Sequence, residues 1–263
     1  MERGDPVRVN ECAHTIAGAF AGKLFADLGW EVIKIEPHDD GDPNRRRGPY
    51  ASTPTGSKKS LLFEYLNTNK KAITLNLFTP MGQTLFRHLT KSTDALIVDL
   101  GSDGGLLPSY DELTEMNRRL TIVEITPFGK TGPYSAYRVR PPNVPHLGGE
   151  SWVMPIGLAR KMFPDRGPVG PGGNISEYCV GTAAAVAVLI ALLARTFTGE
   201  GQHIDLSKQE ALMTHSRRGV GLLVNRNLLE TRSTLDDPYG GFIPCSDGFI
   251  QIQCLQDRHW DRL

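Results

Sequence analysis

Four cysteines in 263 residues, Cys12, Cys179, Cys245 and Cys254, form no CxxC pair and stand near no histidine at ligand spacing. That excludes a zinc knuckle and a disulfide frame, and implies reduced thiols in a cytosolic protein. Charge of either sign is not in excess, with 29 Lys and Arg against 29 Asp and Glu. No global field draws this chain to nucleic acid or to an anionic membrane surface. The polar start, Met1 to Asp5, has no apolar run of the kind a signal peptide carries. Also lacking are GxGxxG after the first strand, GxxxxGK[ST], HExxH and GxSxG, so nucleotide hydrolysis, zinc proteolysis and serine hydrolysis have no support. Nothing in the sequence calls for a metal or a tightly bound cofactor.

What is present is an alternation of strand and helix patterns. A β-type run at Pro6–Asn10, a helical segment at Ala17–Leu28 and a strand at Glu31–Ile35 make one βαβ unit. Strand patterns follow at Ala72–Leu77, Ala95–Val98, Leu120–Ile125 and Gln202–Leu206. Helical patterns fall between them, one opened by Thr79-Pro80 as cap and first turn. The fold class is therefore α/β: an open parallel Rossmann-like sheet with helices on both faces. A connection with nine prolines, Pro127 to Gly173, separates this from a long helix, and Lys208–Thr214 reads as a further helix. Two short strands around Ser246-Asp247-Gly248 predict a hairpin. The expected organisation is a large domain over 1–215, a linker over 216–235, and an incomplete small domain over 236–263.

The long helix carries the most informative feature. Tyr178 to Ala194 holds no charge, and Ala183 to Ala194 is entirely aliphatic. Seventeen residues only touch the lower limit for a membrane span, and the alanine content fits the central helix of an α/β domain better. At its mouth, after Gly172-Gly173-Asn174, stands one carboxylate, Glu177. Placed there it is either a nucleophile or general base, or a first-turn residue complementing the helix dipole from solvent. His14 follows the first strand, at the edge where open α/β sheets bind ligands, and is a site residue or a polar loop residue. Lys70, after Asn67 and Asn69, is a phosphate-holding point charge or a solvated loop lysine. Arg45-Arg46-Arg47 reads most simply as a solvated loop.

Four segments in order resemble the signatures of class III CoA-transferases. They are GKLFADLGWEVIKIEPHDDGDPNRRRGPY (Gly22–Tyr50), LNTNKKAITLNL (Leu66–Leu77), ITPFGKTGPYSAY (Ile125–Tyr137) and EYCVGTAAAVAVLIALLARTFTGEGQHIDLSKQEAL (Glu177–Leu212). The resemblance implies that a carboxylate, at the position of Glu177, attacks an acyl-CoA thioester, forms a mixed anhydride and then carries CoA as an enzyme thioester. The family usually has Asp there, one methylene shorter. By the same resemblance His14 and Thr15 line the reacting thioester, Asn69 and Lys70 form a CoA-contacting turn, Arg138 meets the diphosphate, and Gly240 and Gly241 belong to a mobile covering loop. It implies coenzyme A as substrate, an acyl-CoA donor with a carboxylic acid acceptor as partners, and a homodimer with interlocked chains. Asp99 to Asp103 departs from the family's Glu-Asn-aromatic stretch. Two other readings stay open: a non-catalytic CoA-binding paralogue or subunit, and an acyl-CoA racemase, although Arg140 stands where racemases place a histidine.

Overall fold

The computed structural model describes residues 6–52, 54, 56–101, 107–140, 143–149, 151–155, 160, 162–231, 240–254 and 256–262. Two compact units are distinguished: residues 1–138 with 173–211, and residues 139–172 with 212–263.

The first unit is built on six parallel strands. Strands β1 (Arg8–Ala13) and β2 (Glu31–Glu36) flank helix α1 (Ile16–Asp27) in the chain. The short strands β3 (Tyr50–Ser52) and β4 (Lys58–Ser60) form their own antiparallel hairpin, followed by α2 (Leu61–Leu66). Then come β5 (Lys71–Thr74), α3 (Pro80–Thr90), β6 (Ala95–Asp99), α4 (Tyr110–Met116) and β7 (Thr121–Thr126). After α5 (Asn143–Leu147), which lies in the second unit, come the long helix α6 (Ile175–Thr198), β8 (His203–Ser207) and α7 (Lys208–Met213). The sheet order is β5-β2-β1-β6-β7-β8. Strand order reverses direction between β1 and β6, and the crevice beyond the carboxyl ends of those two strands is where open α/β sheets place ligands.

Alternation along the strands assigns the two faces. Cys12, Leu96, Val98 and Ile122 pack with Phe86 of α3 and Leu113 of α4 on one face. Burial pushes the Cys12 thiol up to about 12, so it stays an unreactive SH. Cys254 is also buried, whereas Cys179 is half-buried and Cys245 exposed; all four are free thiols. The opposite face is covered by α1 and α6. Ile16 and Ala19 of α1 pack with Leu62 and Leu66, and Phe20 lies edge-on to Tyr178 of α6. Gly181 allows this approach: a Cβ built there would lie 2.5 Å from the Ala17 carbonyl oxygen and 3.1 Å from Phe20.

Beneath α1 lies a charged layer that the sequence did not reveal. Glu11 of β1 is fully buried and bridges two lysines, Lys34 Nζ at 2.7 Å and Lys70 Nζ at 2.6 Å. Lys34 also meets Asp42 at 2.6 Å and donates to the Ala13 carbonyl at 3.2 Å. Lys70 donates to the Ala19 carbonyl at 2.7 Å and to Asn67 Oδ1 at 3.1 Å. Burial first, then the charge of Lys34, pulls the Lys70 ammonium down to about 8, against the opposing pull of Glu11. In Lys34, Glu11 and Asp42 together outweigh burial and the pKa is raised.

The second unit contains α5, the helix α8 (Arg217–Arg226), an antiparallel hairpin of β9 (Gly240–Cys245) and β10 (Gly248–Gln253), and the short α9 (Asp257–Trp260). This division differs from the expected one at two points. Residues 216–235, expected as a linker, contain α8, and residues 139–172 group with the second unit instead of the first. Prolines hid the short helix in that stretch, and Ser216, whose hydroxyl donates to the Gly148 carbonyl at 3.1 Å, ties the two segments together. The hairpin stands where the Ser246-Asp247-Gly248 turn predicts it. The expected start of the small domain at Asp236–Tyr239 lies outside the described residues.

Two stability outcomes follow. Lys34→Met leaves Glu11 with Lys70 alone and takes from Asp42 the ammonium it meets, so urea unfolding should show a loss of about 3–5 kcal/mol. Lys70→Met leaves Lys34 touching both carboxylates and should cost clearly less; equal costs would refute this hierarchy. Gly181→Ala gains about 1 kcal/mol of helix propensity but forces a methyl onto a backbone oxygen that cannot move aside, at roughly 1–3 kcal/mol. Its melting temperature should fall, and an unchanged or higher value would show that the α1–α6 contact yields easily.

Candidate active site

Helix α1 begins without a conventional cap. Thr15 is the N-cap residue, but its hydroxyl makes no capping bond to the helix it precedes. The orphan N–H groups of the first turn are met instead by two carboxylates from distant segments. Ala17 N–H donates to Glu177 Oε2 at 3.1 Å, and Gly18 N–H donates to Asp99 Oδ2 at 3.0 Å. The positive end of α1 favours both anions.

Each carboxylate is delivered by its own element. Asp99 is the last residue of β6, paired in register with Ala13 at the end of β1, and its carbonyl accepts from His14 N–H at 2.8 Å. Glu177 sits in the first turn of α6, which Asn174 enters at a left-handed φ of 59°, a conformation asparagine tolerates. The Gly181 contact lies one turn further along, so the packing that seats α6 on α1 also brings Glu177 to the Ala17 N–H. Gly18 has the same function for Asp99: a Cβ there would lie 2.7 Å from the Asp99 Cβ.

A third chain segment completes the cluster. Lys208 follows β8 directly, two strands from β6, a span of about 10 Å that a lysine stem can largely cross. Its Nζ reaches Glu177 at 3.1 Å (Oε2) and 3.3 Å (Oε1), donates to Thr15 Oγ1 at 2.9 Å, and stands 3.6 Å from Asp99 Oδ2. The Thr15 hydroxyl itself bonds to Asp99 and lies 3.3 Å from Glu177 Oε2. Burial alone would pull the Lys208 ammonium down, but Asp99 and Glu177 outweigh it and the pKa is raised. Burial raises the Asp99 carboxyl; Lys208 opposes this, the charge of Glu177 adds to it, and Thr15 and Gly18 N–H favour the anion. Glu177 is the accessible member, with a side chain 30% exposed against 9% for Lys208 and 1% for Asp99.

Of the residues singled out from the sequence, the fold brings Glu177 and Thr15 together, with His14 next to them in the chain. Lys70 is drawn into the buried layer with Glu11, its side chain 1% exposed, so its ammonium faces inward. Asn69, at a left-handed φ of 63°, donates to Asp27 at 3.0 Å on the surface. Arg138 is exposed, and Gly240 and Gly241 begin β9 in the second unit. Arg45 makes two bonds to Glu36, at 2.9 and 2.8 Å, and stacks on Phe63. Two members of the cluster were missed. In the sequence Asp99 stands out only as a departure from a pattern, and Lys208 only as the start of a helix. Both directly end or follow a strand at the carboxyl edge of the sheet, which was the available signal. Among the described residues no group of acidic, histidine or cysteine side chains could hold a metal ion.

Comparison with known proteins places this site in context. The chain is 34% identical over 213 residues to succinyl-CoA–D-citramalate CoA-transferase of Chloroflexus aurantiacus, covering 80% of this chain and 50% of that protein. It is 30% identical over 272 residues to succinate–glutarate CoA-transferase of Agrobacterium fabrum, covering 98% and 64%. The chain thus spans from half to just under two thirds of the length of these relatives. A CAIB/BAIF family protein from Brucella suis superposes with a TM-score of 0.82 at 28% identity, over 98% of this chain and 68% of that one. The model of CoA-transferase family III matches residues 5–263. This chain belongs to CoA-transferase family III.

Proposed function

We propose that the protein moves CoA from an acyl-CoA to a carboxylic acid, with Glu177 as the nucleophile that becomes a glutamyl-CoA thioester. The observation that carries this reading is the Glu177 carboxylate, partly exposed at the carboxyl edge of the sheet and oriented by the Ala17 N–H. A nucleophile needs one oxygen free to react and a second held still. Oε2 has three neighbours, Ala17, Thr15 and Lys208, whereas Oε1 meets only Lys208 among the described residues.

The chemistry runs in two exchanges. A Glu177 oxygen attacks the thioester carbonyl, the C–S bond breaks, and a mixed anhydride and CoA thiolate form. The thiolate then attacks the glutamyl carbon, releases the first carboxylate and leaves CoA on Glu177. An acceptor carboxylate repeats both steps in reverse. During each attack on the glutamyl carbon, charge develops on an oxygen already facing the Ala17 N–H, a donor fixed by the backbone. The extra methylene of Glu relative to Asp is accommodated because the carboxylate reaches across from α6 to the head of α1.

Both named relatives pair CoA with a dicarboxylic acid, D-citramalate or glutarate, and a dicarboxylic acid is the acceptor class proposed for this chain. Coenzyme A enters as a substrate, with no further cofactor. A homodimer is also proposed. Val186, Leu189, Ile190, Leu193 and Phe197 form an exposed apolar stripe along α6, while the helix's other face is packed against α1. Length and composition alone would let α6 cross a membrane. The packed face supports a helix of the α/β layer covered on its outer side by a second copy.

Incubation with succinyl-CoA followed by hydroxylamine and peptide mass mapping should mark Glu177; an unmodified Glu177 alongside measurable transfer would refute the covalent role. Glu177→Gln should lose at least about 10³-fold in kcat. Glu177→Asp withdraws the carboxylate by one methylene and should fall on the order of 10²-fold while still being labelled.

A further inference from the structure

Lys208 contacts the group that reacts, yet neither exchange above forms a bond to its nitrogen. Its Nζ touches both oxygens of Glu177 while its own side chain is buried. An amine with a free lone pair at that separation would capture an acyl carbon with an effective molarity of about 10⁵ M or more. In such a capture the lysine nitrogen adds to the glutamyl carbon of Glu177–CO–S–CoA and the C–S bond breaks. The departing thiolate takes the proton that the nitrogen loses. Products are a Glu177–Lys208 amide and free CoA thiol, and the chain cannot turn over again. An ammonium has no lone pair and does not react in this way. Protonation of Lys208 therefore matters most at the stage when Glu177 has become a neutral acyl group and no longer attracts the charge.

Asp99 is placed to take over. Its Oδ2 is already occupied by the Gly18 N–H and the Thr15 hydroxyl, and stands 3.6 Å from Nζ, too far for a hydrogen bond. Its Oδ1 is fully buried and has no hydrogen-bond partner among the described residues. Buried carboxylate oxygens normally have partners. An ammonium released by Glu177 has an acceptor of opposite charge a short side-chain movement away, and Thr15, already bonded to both, lies between them.

We propose that Lys208 is a transferable counterion: it neutralises Glu177 in the free enzyme and turns to Asp99 when Glu177 is acylated, so the amine beside the reactive carbon stays an ammonium. Asp99 is thus a positioning residue that protects the covalent intermediate from self-capture. This inference rests on the glutamyl-CoA reading of the site.

The test uses the full chain, succinyl-CoA as probe, and intact mass with peptide mapping. Unmodified protein should hold CoA on Glu177 with no internal amide. Asp99→Asn keeps the shape and an acceptor oxygen for the Gly18 N–H but removes the charge. It should convert, at least about tenfold faster than the native chain, to a species lighter than the untreated chain by one water, with the peptides of Glu177 and Lys208 joined. The D99N/K208R pair should keep its CoA adduct, because a guanidinium stays protonated. A D99N chain whose adduct persists like the native one, with no joined peptide, overturns the proposal. Should D99N fail to fold, Lys208→Met examines the other half: kcat should drop on the order of 10²-fold, with Lys208→Arg recovering to within about tenfold of native. A K208M chain with native kcat overturns the proposal equally. Failure of the native chain to form any adduct refutes the glutamyl-CoA reading itself, and is seen before any variant is made.

Discussion

Two carboxylates share the first turn of one helix, and the arrangement of the site follows from that. A helix start exposes N–H groups that need acceptors, and α1 leaves this need to β6 and α6 instead of its own cap residue. Two anions so close would repel one another, so a cation must join them, and Lys208, two strands away in the sheet, supplies it. Thr15, released from capping, becomes the hydroxyl that joins all three charged groups. Removing any one of the four would leave another with a buried valence unmet.

The tolerances of the site are set by small residues. Gly18 lets the Asp99 side chain lie against the backbone of α1, and Gly181 lets α6 come close enough for a glutamate to reach across. Interiors are close-packed, so even one added methyl at such a contact is felt. Precision at Glu177 is thus inherited from helix–helix contact one turn away, and not from the loop of Gly172 and Gly173 that leads into it.

Much of the framework could be read from the sequence because it depends on local pattern. Alternating apolar residues marked β2, Thr79 and Pro80 marked the start of α3, and the Ser246-Asp247-Gly248 turn marked the β9–β10 hairpin. The position of Glu177 was legible because one charge at the mouth of an apolar helix stands out. What pattern could not supply is pairing across long sequence distances. Asp99 and Lys208 are 109 positions apart in number and meet only through strand order. Lys70 shows the opposite failure: a lysine in a polar stretch looks solvated, and only the fully buried Glu11 explains why it turns inward.

The layer of Glu11, Lys34, Lys70 and Asp42 has a bearing on how the molecule responds to its medium. Helix α1 is tied to the sheet partly by ammonium groups donating to the carbonyls of Ala13 and Ala19, at the two ends of the segment that presents the Ala17 and Gly18 N–H groups. Mobile ions weaken exposed charge pairs but hardly reach sealed ones. The seating of the helix head is therefore insulated from ionic strength, and concentrated electrolyte acts on the entry of charged substrates while leaving the scaffold that receives them unchanged.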